Sequence, residues 1–201
     1  MRLLYNQTSP FIRKVAVLAH ETGLIDKIEL IPANPWAEDD VTVTGVSPLG
    51  KVPVLQDGAD AVFDSKLIVR YLLERADNRQ MLVPPSKQLL QDQLEAVADG
   101  LAEATANRFL ELNRRPPEKQ MDYWLERFQN TITRALAWLE ERTDSFSSNF
   151  TLGALSVAVA LGYLELRYKE LNWRDTHPQL AAWYANAAQR KSMLATAPPE
   201  A

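Results

Sequence analysis

Three places in the chain combine residue types that can do chemistry. Ser9 stands before Pro10 and two adjacent apolar rows, Phe11, Val15, Leu18 and Ile12, Ala16, Ala19. Proline suits the first helical position because the N–H it lacks would be unpaired there, so Ser9 reads as the helix N-cap. A hydroxyl at that point lies among free N–H groups and partial positive charge, a setting that favours an anion. The second place is Gly50-Lys51-Val52-Pro53-Val54-Leu55. Lys51 to Gln56 has strand-forming residues, yet Pro53 cannot donate to a ladder and must sit at an edge or a bend. A cis Val52–Pro53 bond would turn the Val52 N–H and C=O outward, where an extended peptide can pair with them as an added strand. The third place is Asp64-Ser65, ahead of Leu67, Ile68, Tyr71 and Leu72. It marks another helix start, whose N–H groups welcome a carboxylate. Taken singly, each has an ordinary structural reading as a cap or an edge strand.

The elements that must position them follow from pattern. Arg2 to Tyr5 reads as a strand, Asn6 to Ser9 as a polar turn, and Pro10 to about Thr22 as a helix ended by Gly23. Ile28 to Ile31 is the next strand, and this strand–helix–strand spacing predicts a right-handed parallel crossover. Pro32 to Pro48 is a long loop carrying Trp36, the acids Glu38, Asp39 and Asp40, and one helical turn near Val41 to Val46. Asp57-Gly58 is a hairpin turn between Lys51–Gln56 and a second strand at Ala59–Phe63. Ser65 to Ala76 is a helix. From Lys87 onward only helical periods occur: Leu90, Leu94, Val97, Leu101 and Ala104, then Tyr123 to Arg142 with Trp124, Phe128, Ile132, Ala135, Leu136 and Leu139 on its buried side. Thr151 to about Leu171 is uncharged until Glu165, which predicts a helix buried nearly all round, and His177-Pro178 opens a last helix to about Arg190. The predicted fold class is α/β plus all-α: an N-terminal β-α-β-β-β-α domain over 1–78, a linker over 79–86 with Pro84-Pro85, and an all-helical C-terminal domain over 87–201.

The order Pro48-Leu49-Gly50-Lys51-Val52-Pro53-Val54-Leu55, a hairpin, then Phe63-Asp64-Ser65 resembles the glutathione-binding half of the thioredoxin-like domain in cytosolic glutathione S-transferases. Thr8-Ser9-Pro10-Phe11 with Arg13-Lys14-Val15 is similar to the opening of bacterial members of the YibF-like type. The resemblance extends over nearly the whole chain, through Leu161-Gly162-Tyr163-Leu164 and the segment from His177-Pro178 to Pro199. It implies that Ser9 activates the thiol of glutathione, a co-substrate, with no metal required. It further implies that the Val52 backbone pairs with the cysteinyl part, that Pro53 is the cis-proline, that Asp64 and Ser65 hold the γ-glutamyl end, and that Lys51 meets the glycyl end, with Phe11 beside them. Trp36, Arg108, Phe109 and Leu112 become candidates for contact with a small hydrophobic electrophile. A homodimer and a detoxification role are implied too. An unperturbed thiol with a pKa of about 8.5 is only a few per cent ionised near neutrality, and lowering it by about two units is worth roughly 2.7 kcal/mol. A hydrogen bond from the serine hydroxyl plus a helix terminus can supply that. Two departures stand out. Many members carry an acid three residues after a Ser or Thr at the start of the central C-terminal helix, whereas Thr151 is followed by Ala154 at that spacing. Members that use a tyrosine near the end of the first strand find a counterpart only in Tyr5, read here as a strand residue.

Composition bounds the alternatives. The 201 residues hold 22 basic and 26 acidic side chains, a net charge of −4, with both signs interspersed. That leaves no footprint for nucleic acid or an anionic membrane, and the densest basic pair, Arg114-Arg115 beside Pro116-Pro117, reads as a solvated helix end. There is no cysteine, so disulfides, thiolate metal sites and disulfide exchange through the chain's own thiol are excluded. The two histidines, His20 and His177, fall in unrelated helices, which disfavours a metalloenzyme. No Gly-rich phosphate loop occurs. Leu3-Leu4-Tyr5 is too short for a signal-peptide core, the apolar part of Ser145–Leu164 falls short of a membrane span, and a cytoplasmic protein is expected. Within the resemblance, a glutathione-dependent isomerase or peroxidase and a non-catalytic glutathione-binding or protein-interaction module remain as alternatives to a transferase.

Overall fold

Leu3 and Leu4 point to opposite faces of the first strand and both are buried, so that strand lies inside its sheet with cover on both faces. The computed structural model describes residues 1–37, 41–78 and 81–199. The first strand, β1 (Arg2–Tyr5), leads through a turn to α1 (Pro10–Thr22), then β2 (Glu29–Pro32), β3 (Val54–Asp57), β4 (Asp60–Val62) and α2 (Ser65–Arg75). The sheet order is β2-β1-β3-β4, with β1 parallel to β2 and antiparallel to β3, and β3 and β4 forming the hairpin. This is the expected thioredoxin-like arrangement. Helix α1 ends where Gly23 adopts φ 72, a left-handed conformation open to glycine, and the Leu24 N–H reaches back to the Ala19 carbonyl at 2.8 Å, closing the helix end. Tyr71 on α2 donates to Asp57 at 2.9 Å, fastening the helix to the hairpin. That bond, then burial, holds the Tyr71 phenol above its ordinary pKa, with Arg75 opposing.

Three strands differ in their bounds from expectation. Strand β3 begins at Val54 rather than Lys51, because Pro53 offers no N–H and the ladder starts after it. Strand β4 is trimmed to Asp60–Val62, and β2 is shifted by one residue to Glu29–Pro32. The turn expected near Val41–Val46 is present, closed by Gly45 N–H to Val41 O at 2.9 Å and Ser47 N–H to Val43 O at 2.9 Å. The acids Glu38, Asp39 and Asp40 lie outside the described residues.

The chain separates into two units, residues 1–82 with 191–199, and residues 83–190. The second unit holds α3 (Gln88–Arg114), α4 (Asp122–Glu140), α5 (Thr143–Phe146), α6 (Leu152–Arg167), α7 (Trp173–Thr176) and α8 (Pro178–Ala187). Every residue from Leu152 to Leu164 is buried, as the uncharged run predicts. The helix stops at Arg167 rather than Leu171, since Tyr168 takes a non-helical conformation with φ −138. Trp124, expected on the buried side of α4, is 41 % exposed and instead stacks on Phe128 and meets Tyr123 edge-on. The last helix closes at Ala187, and a separate short helix, α9 (Lys191–Ala195), follows. Although expected with the helical domain over 87–201, α9 belongs to the first unit. Its partners on α1 explain this: Arg13 donates to the Met193 carbonyl at 3.0 Å and Ser192 donates to the Glu21 carboxylate. Among the described residues no helix is long and apolar enough to cross a membrane.

The missing acid at Ala154 is compensated. Thr151 caps α6 and accepts from the Ala154 N–H at 3.5 Å. The Gly153 N–H is taken by Oε1 of Gln91, reaching from α3 at 3.0 Å, and the Thr151 N–H bonds the Asn149 carbonyl at 3.1 Å. The donors that a capping box would serve therefore have partners from elsewhere.

Candidate functional site

Register alone gathers the first unit's candidates. Tyr5 at the end of β1 pairs with Pro32 at the end of β2, so the turns after both strands leave from the same end of the sheet. Leu4 pairs with Val54, which puts Val52 and Pro53, just before β3, at that end. Leu55 pairs with Val62, and Phe63, Asp64 and Ser65 therefore emerge there as well. Four segments distant in sequence meet at one end of the sheet, the place where open sheets with crossover helices present their loops.

The turn carrying Ser9 is organised by Asn6, whose side-chain oxygen accepts from the Thr8 N–H at 3.1 Å and the Thr8 hydroxyl at 3.0 Å. Its carbonyl accepts from the Ser9 N–H at 3.3 Å. Ser9 is the N-cap of α1 with Pro10 following, and its Oγ accepts from the Ile12 N–H at a long 3.4 Å. Accepting leaves the hydroxyl proton available to a second partner. Ser9 and Phe11 are half-buried, neither sealed in the core nor fully in solvent.

A small core holds the opposite segments in place. Leu4, Ala33, Val43 and Val54 are buried together, and Ile31, Val46, Val52 and Phe63 pack against them. The side chains of Val52 and Phe63 thus anchor the backbone on either side of the hairpin, and the Val52–Pro53 peptide is cis. Lys51 is exposed. Asp64 caps α2, its Oδ1 accepting from the Lys66 N–H at 3.1 Å, while Ser65, 4 % exposed, takes the first helical position. Beside the Ser9 turn lies a depression of about 480 Å³ lined by Tyr5, Asn6, Gln7, Thr8, Pro32, Ala33 and Asn34. Trp36 lies in the loop that follows, 63 % exposed, its backbone N–H donating to Asn34 Oδ1 at 3.1 Å.

The remaining candidates belong to the helical unit. Arg108, Phe109 and Leu112 occupy the C-terminal half of α3 and are half-buried. The Arg108 guanidinium lies 4.6 Å from the Tyr168 ring centre, and the Leu112 carbonyl accepts from Gln120. Two kinds of residue escaped the sequence reading. Asn6 and Asn34 follow the carboxyl ends of parallel strands, a position that signals them in principle. Tyr163, Arg167 and Tyr168 carry no local signal, because only the packing of α6 on α3 brings them to Arg108 and Phe109. Among the described residues no group of acids and histidines could hold a metal ion.

Known proteins share this architecture. Residues 8–75 match the family model of the glutathione S-transferase N-terminal domain, and residues 122–186 match that of the C-terminal domain. The chain is 33 % identical to the uncharacterized GST-like protein YibF of Escherichia coli (strain K12), over the full length of both. It superposes with a TM-score of 0.93 on a glutathione transferase family member from Pseudomonas fluorescens Pf-5 with bound glutathione, at 42 % identity over 98 % of each chain. A second structure of a family member from that organism carries bound S-(propanoic acid)-glutathione and matches at 41 % identity with a TM-score of 0.89, over 99 % of this chain and all of the other.

Proposed function

The chain belongs to the glutathione S-transferase family, and we propose that it ionises bound glutathione beside Ser9 for attack on a small electrophile with a hydrophobic body. In this reading the Ser9 hydroxyl donates to the sulfur while the start of α1 favours its negative charge. The Val52 N–H and C=O pair with the cysteinyl part of the peptide. Asp64 and Ser65 receive the γ-glutamyl amine and carboxylate, Lys51 the glycyl carboxylate, and Phe11 flanks them. Trp36, Arg108, Phe109 and Leu112 are assigned to the electrophile. The thiol proton leaves to solvent, a sulfur–carbon bond forms, and the leaving group departs with its electron pair. Residues 1–78 would serve as the glutathione-binding domain, 79–86 as the linker and the helices from 87 as the second domain. We extend the reading to a two-fold homodimer, a cytoplasmic location and a role in detoxification.

The observation that carries it is the Ser9 hydroxyl. Among the described residues its one side-chain bond is long and is made as acceptor, which leaves its proton for a ligand at the sheet end where Val52 and Asp64–Ser65 also emerge. The Pseudomonas fluorescens relatives support it, since one holds glutathione and another holds glutathione substituted with a propanoic acid group. The test is calorimetric titration of glutathione across pH on the wild type and Ser9→Ala, with thiolate absorbance followed in parallel. The expected result is binding with a lowered thiol pKa that Ser9→Ala returns to its free value. Binding without any shift would reduce Ser9 to a cap, and absence of binding would sink the site.

A further inference from the structure

Three of the arginines that lie over aromatic rings among the described residues also meet an acid. Arg75, over Tyr71, faces Asp57. Arg142, over Trp138, bonds Glu141 at 2.9 Å, and Arg174, over Trp173 and Tyr184, bonds Glu165 at 2.7 Å. Arg108 and Arg167 differ. They cross between α3 and α6: Arg108 lies over the Tyr168 ring at 4.6 Å, and Arg167 over the Phe109 ring at 4.2 Å and the Tyr163 ring at 5.2 Å. Each guanidinium thus sits on a ring that adjoins the other arginine in sequence, which brings two positive charges into one cluster. Among the described residues neither has a carboxylate partner.

The polar atoms of the cluster are unsatisfied as well. The Nε atoms of Arg108 and Arg167 are buried with no hydrogen-bond partner, and the Tyr168 hydroxyl, on a residue only 6 % exposed, has the Arg108 guanidinium beside it without a well-formed bond. Burial raises the Tyr168 phenol above its ordinary pKa while the Arg108 guanidinium beside it pulls the other way. Like charges held together with unpaired buried donors are unfavourable in the absence of a ligand. The donors form flat forks that match a two-oxygen acid edge-on, and Phe109, Tyr163 and Tyr168 supply flat apolar faces beside them.

We propose that Arg108, Arg167 and Tyr168 form a subsite for a carboxylate carried on an aromatic or similarly flat apolar body. That this ligand is the electrophile itself rests on the transferase reading above; the binding does not.

Calorimetric titration of the full chain with benzoate, and with neutral benzamide as its uncharged counterpart, tests it without glutathione. Benzoate is expected to bind at least tenfold more tightly than benzamide, and Arg108→Met and Arg167→Met each to weaken benzoate at least tenfold while leaving benzamide unchanged. Arg108→Lys and Arg167→Lys keep the charge and guard against loss of fold. They are expected to recover only part of the benzoate affinity, because an ammonium cannot reproduce the fork. Equal affinity for benzoate and benzamide, or arginine variants that bind benzoate like the wild type, would overturn the proposal. Inorganic phosphate displacing benzoate at equal concentration would also overturn it, by showing a site for any anion. A separate glutathione titration keeps the two readings distinguishable: benzoate binding without glutathione binding would support this subsite while the transferase reading failed.

Discussion

Among the described residues two helices begin on a hydroxyl cap, and they are finished differently. Ser9 opens α1 and Thr151 opens α6; each side chain accepts from the backbone N–H three residues on, at 3.4 and 3.5 Å. Around Thr151 two further donors are taken: Gln91 receives Gly153, Asn149 receives Thr151 itself, and every residue of the first turn is buried. Around Ser9 the turn stays half-buried beside a depression, next to the segments that the strand register delivers. The same residue class and cap geometry therefore serve packing in one place and stand ready for a ligand in the other. What separates them is the surroundings of the helix start, and the cap residue alone does not reveal it.

The comparison breaks first at Ser9. On the proposed function, Ser9→Ala lowers the rate of glutathione conjugation at neutral pH about 25-fold, because a thiol with a pKa of about 6.5 is roughly three quarters ionised there and one of about 8.5 roughly 3 %, and it also removes a helix cap worth about 1 kcal/mol. The deficit should shrink as pH rises through about 8.5, where the thiol ionises unaided. A deficit that stays constant across pH would mean that the serine does not act on the thiol. Gly153→Ala tests the closed helix start from the other side. An added Cβ would meet Gln91 Oε1 and the Leu94 Cβ at 2.9 Å and the Gln91 carbonyl at 3.0 Å. The expected loss is about 2 kcal/mol of stability by denaturant unfolding, with glutathione affinity unchanged. Gln91→Ala follows, leaving the buried Gly153 N–H unpaired at a cost of about 1.5 kcal/mol. A change in glutathione affinity in either variant would show that the closed helix start is not purely structural.

Much of this was readable from sequence where function sits at the ends of elements. Ser-Pro, Val-Pro and Asp-Ser announce helix and strand starts through proline geometry and capping chemistry, and Gly23 marks a helix end in the same way. Register did the rest, because three strand pairings suffice to bring those ends together. Features created between helices were not readable. Gln91 is one polar residue within the amphipathic pattern of α3, and nothing nearby in sequence says that it will replace an acid missing from α6. Arg167 and Tyr168 likewise meet Arg108 and Phe109 only through packing. Helix α9 is too short to show a period, and its attachment to α1 depends on Arg13 and Glu21, which local patterning treats as solvated charges. Trp124 failed for the opposite reason: its position fits the apolar stripe of α4, but the ring stays partly exposed and finds aromatic neighbours on its own helix.

The smallest expected effect is also the most direct comparison. Thr151→Ala removes a cap worth about 1 kcal/mol, and Thr151→Ser should restore most of it, since the accepting oxygen is kept. No titratable group takes part in the bonds among Thr151, Ala154, Gly153, Gln91 and Asn149. The stability loss should therefore be the same at pH 6 and pH 9, with no proton taken up or released differently by the folded and unfolded states at this site. Ser9→Ala should cost a similar 1 kcal/mol or so of stability and differ in adding a conjugation deficit that depends on pH. Unfolding titrations of both alanine variants at the two pH values, set beside their conjugation rates, separate a cap that holds a helix from a cap that holds a thiolate. If Thr151→Ala lost activity with the pH dependence expected of Ser9→Ala, the buried helix start would be part of the chemistry and the distinction would collapse.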